Sequence, residues 1–401
     1  MLENILLQQL CAGNGWRIAE SHDDVAQVKV VIRLEPTRRS AVCSGCGETK
    51  KRFLDTKTKA RSWRHLDAFG VASEIVAPLR RVQCRWCGIR VEQVPWARSR
   101  SHFTHRFEAE ILRRARDSSI QGICRQLDVH WTTVMRLIER WVIESADRRF
   151  RQKLRRIGVD EVSYGRGQSK YLTIVWDHDR SCIVWIGKGK EQETLDLFFA
   201  KLGRRRSARL VCVTMDMAKG YIASVEQNAP EADIVFDRFH IERHLTDAVN
   251  EVRKREFWRR GGRYRKAIKG KKFLLLKKRK RLHWRRRREL DELLRLNRPL
   301  ATAYMLKEQF ADVWTASTIF EMAALLIRWR RMLRWQRLEP LLRFFRMIAR
   351  HALGVLAWIR HRITNAAVES NNSRMRAISQ RGRGYRNPAN LMLILYHASW
   401  R

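Results

Sequence analysis

The period of the apolar positions changes along the chain, and each change predicts a different kind of element. Through residue 100 the apolar residues fall in short runs that read as strands, Val28 to Leu34 before one cysteine pair and Gly70 to Arg80 before another. From 105 to 145 they recur every three or four residues, the spacing of helices. Leu154 to Asp237 then alternates the two patterns. Strands are expected at Ile157-Gly158-Val159-Asp160, Tyr171 to Trp176, Cys182 to Ile186, Leu210 to Thr214 and Ile234 to Phe236, with helices at Glu191 to Leu202 and Tyr221 to Asn228. Short connections between the first three strands predict hairpins. His240 to His361 reads as helical, with breaks at Pro299 and Pro340. The last forty residues hold a polar, glycine-bearing segment, 379 to 385, between two helical patterns.

Composition sharpens this picture. The chain has 401 residues, 45% of them hydrophobic, with 15 Trp and 15 Phe, which is enough apolar material for several cores. Its 83 Lys and Arg against 41 Asp and Glu leave a net charge of +42, a self-repelling surplus suited to a polyanion; nucleic acid is the partner expected. Twenty of these cations lie within 251 to 288, interleaved with Trp258, Tyr264, Phe273 and Trp284. No run of eighteen apolar residues occurs, and the first residues lack a charged start followed by a long apolar stretch. A soluble, cytoplasmic protein is therefore expected, not a membrane or secreted one.

Four of the eight cysteines form two Cys-x-x-Cys pairs, Cys43/Cys46 and Cys84/Cys87, with Gly47 and Gly88 just after them. Two residues between thiols let both sulfurs face one ion, and four thiolates saturate tetrahedral Zn2+, so the expected site is structural and closed to substrate. His65, His102 and His105 are not needed as ligands.

Ser119 to Leu127 places Ile120, Ile123 and Leu127 on one helical face, Asp128-Val129-His130 turns the chain, and Trp131 to Trp141 turns Val134, Leu137 and Ile138 inward. This is the pattern of a helix-turn-helix, which would present Thr132, Thr133, Arg136 and Arg140 to a major groove. A plain helical hairpin shares the spacing.

Asp160 lies inside an apolar strand, where a lone carboxylate is costly to bury without a cation, and Asp216 ends another. If those strands are neighbours, the two carboxylates sit side by side and favour a divalent metal. The bland alternative has Asp216 capping the next helix and Asp160 pairing with an arginine. Asp177 and Asp179 lie in a hairpin turn, where aspartate is common for local reasons.

The paired cysteines, the helix-turn-helix, "GVDEVSYGRGQSKYLTIVWD", "VTMDMAKGYIASVEQNAPEADIVFDRFHI" and "ITNAAVESNNSRMRAISQRGRGYRNPANLMLIL" together resemble insertion-sequence transposases of the ISL group, a branch of the DDE superfamily. The resemblance spans essentially the whole chain. It implies a multidomain α+β protein: an N-terminal zinc-bound β module, a helix-turn-helix, and a ribonuclease-H-like α/β catalytic domain interrupted by an α-helical insertion. The boundaries it implies are 1–100, 101–150, 151–240, 241–360 and 361–401. Carried over by position, the acidic triad is Asp160, Asp216 and Glu369, with Mg2+ or Mn2+ as the cofactor. Asp237, the rival third ligand, becomes a supporting carboxylate that orients His240 or Arg238. Ser370 departs from the family's usual glycine after the glutamate. Arg374, Arg376, Arg381, Arg383 and Arg386 would then hold DNA phosphates near the metals. Tyr385 is left open between stacking on a base and packing inside the chain.

The reaction implied is metal-dependent DNA cleavage followed by strand transfer, on transposon ends and target DNA, by a homodimer or larger assembly. A DNA-binding regulator derived from such an enzyme and a structure-selective endonuclease of the same fold are the competing readings.

Overall fold

The computed structural model describes residues 15–24, 29–50, 53–55, 60–68, 70–165, 170–259, 261–363, 366–382, 385 and 387–400, leaving aside the side chains of 23, 24, 147, 149, 263, 264, 366–372 and 374. The chain forms two compact units, residues 1–141 and 142–401.

The first unit opens with strands β1 (Trp16–Asp24), β2 (Lys29–Pro36), β3 (Ala41–Val42), β4 (Thr49–Lys50), β5 (Phe53–Asp55), β6 (Arg61–Ala68), β7 (Val71–Ala77), β8 (Arg81–Cys84) and β9 (Gly88–Val91). A four-stranded sheet in the order β1-β2-β7-β6 carries a core of Trp16, Leu34, Trp63, Ile75 and Trp96. The remaining strands form two small ladders, β3-β4 and β5-β8-β9.

Three helices follow: α1 (His105–Ala115), α2 (Ile120–Leu127) and α3 (Trp131–Phe150). The Thr104 and Ser119 hydroxyls cap α1 and α2 by accepting from the amides of Phe107 and Gly122. The expected faces are buried: Ile120, Ile123 and Leu127 on α2, and Val134, Leu137 and Ile138 on α3. Asp128 turns the chain in the left-handed conformation, φ 49°. The last helix runs to Phe150, beyond the Trp141 at which the apolar pattern was read to end, since residues 142–150 contain neither glycine nor proline to stop it.

The second unit is built on β10 (Arg156–Ser163), β11 (Tyr171–Asp177), β12 (Cys182–Lys188), β13 (Cys212–Met215) and β14 (Asp233–Phe236), arranged as β12-β11-β10-β13-β14. The first three strands are antiparallel neighbours, while β13 and β14 run parallel to β10. Helices α4 (Gln192–Leu202), α5 (Arg204–Ser207) and α6 (Lys219–Asn228) supply the connections. After β14 the chain is helical: α7 (Arg238–Arg259), α8 (Gly262–Ile268), α9 (Lys272–Leu276), α10 (Trp284–Leu296), α11 (Arg298–Phe310), α12 (Ile319–Leu333), α13 (Glu339–Arg350), α14 (Ala352–His361), α15 (Ala366–Arg381) and α16 (Pro388–Ser399). Pro299 and Pro340 stand in the first turns of α11 and α13, where a missing amide costs nothing.

One face of the sheet is closed by the last two helices: Val162, Leu172, Ile174 and Trp176 pack with Met375 of α15 and with Leu391 and Leu395 of α16. The other face meets α6, whose buried Tyr221 hydroxyl lies 2.8 Å from Thr173 Oγ1. Tyr385 packs against the first of these clusters, and its ring occupies the space where a side chain on Gly382 would go. It is a packing residue, and burial pushes its hydroxyl up.

Candidate metal centres and nucleic-acid interface

The four cysteine sulfurs of the first unit lie within 4.8 Å of one another, and Cys46 Sγ is 3.5 Å from Cys84 Sγ. Tetrahedral zinc with sulfurs at about 2.3 Å sets them about 3.8 Å apart, so the cluster has the right size. Both turns depend on glycine, since Gly47 (φ 75°) and Gly88 (φ 69°) adopt a backbone conformation that other residues resist. The Gly45 amide points at Cys43 Sγ from 3.4 Å, a donor that offsets thiolate charge. Amides of Cys87 and Trp86 hold the Cys84 thiol down at about 7, whereas its neighbour Cys46 pushes Cys87 up to about 12. A cation removes this competition for protons.

Beside the cluster, the guanidinium of Arg80 clasps the Glu92 carboxylate with Nη2 at 2.7 Å, both side chains buried, and donates to the carbonyls of Arg38 and Ser40. His65 is buried and bonded to Thr104 Oγ1 at 2.9 Å; burial lowers it to about 4.

On the helix-turn-helix, Thr132 and Arg136 are exposed, and Thr133 is half-buried. Thr132 Oγ1 lies 2.8 Å from His130 Nδ1. Arg140 donates from Nη2 to the buried carboxylate of Glu108 at 2.6 Å, a contact inside the motif.

In the second unit the sheet register positions the acids. Pairing runs Arg156 with Cys212, Ile157 with Val213 and Gly158 with Thr214; continued two residues past the last paired position, this register would set Asp160 level with Asp216, which follows the end of β13. Met215 pairs with Phe236, so Asp237 follows on the next strand. Asp160 shares its side of β10 with Val162, the side covered by α15, which carries Glu369 less than two turns before Met375. The Glu369 and Arg374 side chains, and all of Arg383 and Arg386, lie outside the described residues. Arg376 and Arg381 are exposed on α15.

Asp160 Oδ1 accepts from the amide of Glu161 at 2.7 Å, and Asp216 Oδ1 from that of Ala218 at 3.0 Å. His240 stands between two carboxylates, Nδ1 3.8 Å from Asp216 and Nε2 3.9 Å from Asp237, too far for direct hydrogen bonds. The nearly buried Asp237 also accepts from the Phe239 amide at 3.0 Å, and Arg238 bonds Glu242 instead. Asp177 is fully buried in its turn, bonded to the amide of Asp179 and to Arg180, a local role.

Glu161 was not singled out by sequence reasoning. It sits on the opposite side of β10 from Asp160, across from Thr173, and burial together with the charge of Asp216 raises its carboxyl. Only its adjacency to Asp160 marked it.

Among the described residues no helix is long and apolar enough to cross a membrane. The family model described as transposase, for the DDE domain of the ISL3 group, matches residues 157–395. A helix-turn-helix model of transposase family ISL3 matches 92–142, and a zinc-finger model of the IS204/IS1001/IS1096/IS1165 transposases matches 39–87. A transposase for insertion sequence element IS1557, found in two strains of Mycobacterium tuberculosis, is 30% identical, covering 98% of this chain and 91% of the relative. The transposase for IS1001 of Bordetella parapertussis is 27% identical, covering 96% of each chain. The chain belongs to the ISL3 family of DDE transposases, as its motifs implied, and is a DNA transposase. Membership carries DNA binding and a divalent metal with it, and the four-cysteine cluster suits zinc.

Proposed function

We propose that Asp160, Asp216 and Glu369 are the acidic triad of a ribonuclease-H-like catalytic domain, built from residues 151–240 and 361–401 and interrupted by the basic helical insertion 241–360. Residues 1–100 are then the zinc module and 101–150 the DNA-binding helix-turn-helix. The register that sets Asp160 level with Asp216, on the sheet face covered by the helix bearing Glu369, carries this reading. Strand order adds support, with three antiparallel strands followed by two parallel ones.

Mg2+, with Mn2+ as substitute, is the ion these carboxylates would hold, supplying a Lewis acid for in-line phosphoryl displacement. The chain's own groups do the positioning. The Glu161 and Ala218 amides fix one oxygen of Asp160 and of Asp216, and Asp237 backs His240 beside Asp216. Thr132, Thr133, Arg136 and Arg140 are assigned to recognition of the transposon end. Arg374, Arg376, Arg381, Arg383 and Arg386 are assigned to phosphates near the cut. Two ends must be brought together, so a homodimer or larger assembly is the working form.

The test uses full-length protein, Mg2+, a pre-nicked end substrate and a target plasmid. Joined product supports the transposase chemistry, cleavage alone an endonuclease, and neither a regulator. Asp160→Ala should lower both cleavage and joining by about a hundredfold to a thousandfold, the scale lost with other electrostatic catalytic groups, while end binding stays unchanged. Strand transfer that survives in Asp160→Ala removes the assignment.

A further inference from the structure

The basic helices α7 to α10 carry large aromatic side chains on their outer surface, mostly exposed to solvent. Trp258 is 72% exposed, Phe273 69% and Trp284 55%. The core of the same helices is aliphatic: Ile268, Leu274, Leu275, Leu290 and Leu293 are buried. On α9 the contrast lies between adjacent residues, Phe273 outside and Leu274 inside. The hydrophobic effect alone would bury the larger ring, so burial does not explain the choice.

Cations lie over these rings. The Arg265 guanidinium is 4.7 Å from the Trp258 ring centre, Lys272 Nζ 5.7 Å from that of Phe273, and Arg285 5.2 Å from that of Trp284. The helices pack as one cluster: α8 lies against both α7 and α10, as does α9. Within 251–288 the only acidic residues are Glu251 and Glu256, against twenty cations; from outside this stretch Glu289 pairs with Lys271 and Arg286, Asp291 with Arg279, and Glu242 with Lys278. Glu256 is buried and bonded to Asn297, while Glu251 is paired with Arg255 and Arg343.

We propose that Trp258, Phe273 and Trp284 form a stacking platform for unpaired DNA bases. Cations alone suffice for phosphates, and duplex bases are hidden in their own stack. Exposed aromatic faces among cations instead match the chemistry of single-strand binding, in which each base stacks on a ring and the groove tracks the backbone. A second copy of this chain is disfavoured as occupant, because two such cationic faces repel. The platform rests on the proposed function in one respect, that strand breakage and joining at an element's end leave bases unpaired beside this surface.

The test measures binding of full-length protein to a labelled single-stranded oligonucleotide and to its duplex, across a range of salt. Trp258→Ala and Trp284→Ala should each weaken single-strand binding about tenfold, the scale of one lost base stack, and duplex binding by less than about twofold. The slope of affinity against salt should not change, since no phosphate contact is lost, and Trp258→Phe should retain most of the affinity. Equal losses on both DNAs, no loss on either, or loss of self-association in place of DNA binding would overturn the platform. Asp160→Ala, assayed alongside, should bind both DNAs normally and fail to cleave. Cleavage by that variant would sink the catalytic assignment and leave the platform standing.

Discussion

The zinc-finger strands and the five-stranded sheet are both β structure, yet opposite means hold them. Around Cys43 the buried apolar cluster is only Ala41, Cys43, Val82 and Cys84, with Phe53 and Cys87 half-buried beside it. Ladders as short as β3-β4 have no face large enough to drive folding, which leaves the Arg80–Glu92 pair and the four-cysteine cluster, with the zinc it suits, to hold this region. The sheet of the second unit has helices on both faces and buries β11 and β12 almost throughout. It can therefore tolerate Asp160 inside β10 and Asp216 just after β13. Charge is a structural necessity in the first region and, on the proposed function, a catalytic load in the second.

Removing the metal should separate the two regions most sharply. Chelation of zinc, or Cys84→Ala, removes an interaction worth roughly 10 to 16 kcal/mol in zinc-finger peptides, so the finger should unfold and end binding should fall. The second unit should still melt at its original temperature in calorimetry. A simultaneous loss of both transitions would break the contrast.

Next in size is the buried ion pair. Glu92→Ala leaves Arg80 charged and unpaired in the interior, an expected cost of about 3 to 5 kcal/mol read by urea unfolding of the first unit. Glu161→Gln, in the sheet, should cost far less, because its carboxyl is already pushed toward the neutral form.

Acid should strike both regions with a smaller effect. His65 and His178 are each lowered from 6.5 to about 4, mainly by burial. Between those values the unfolded chain binds the proton and the folded chain does not, so stability falls as pH drops from about 6.5 to 4. Each histidine contributes about 3 kcal/mol across that window. The first unit should fail at higher pH than the second, because its zinc thiolates protonate as well. Loss of both units at one pH would mean that zinc adds nothing to the difference.

Much of this was legible in the amino-acid order, because it depends on spacing. The cysteine pairs, the three inward residues of α2 and the five strands of the sheet follow from local period and turn chemistry, and the strands recur within three residues of their expected ends. The outward set on α3 was less legible. Periodicity puts Arg140 on an exposed face, but Glu108, thirty-two residues earlier, engages its guanidinium. Glu161 escaped notice for a similar reason, since its environment comes from Thr173 and Tyr221, which no local pattern connects to it.

The order of residues determined which elements form and which side chains face inward, since helix and strand periods are written in neighbouring positions. It also determined the excess of positive charge and the pairs of thiols. Only the tertiary structure decided that β13 lies parallel against β10 with Gly158 opposite Thr214, that Tyr385 packs half-buried against the sheet, and that Trp258 and Trp284 are outside. Pairing between distant strands and the exposure of a given ring depend on how the whole chain shares a limited interior, and no window of sequence contains that competition.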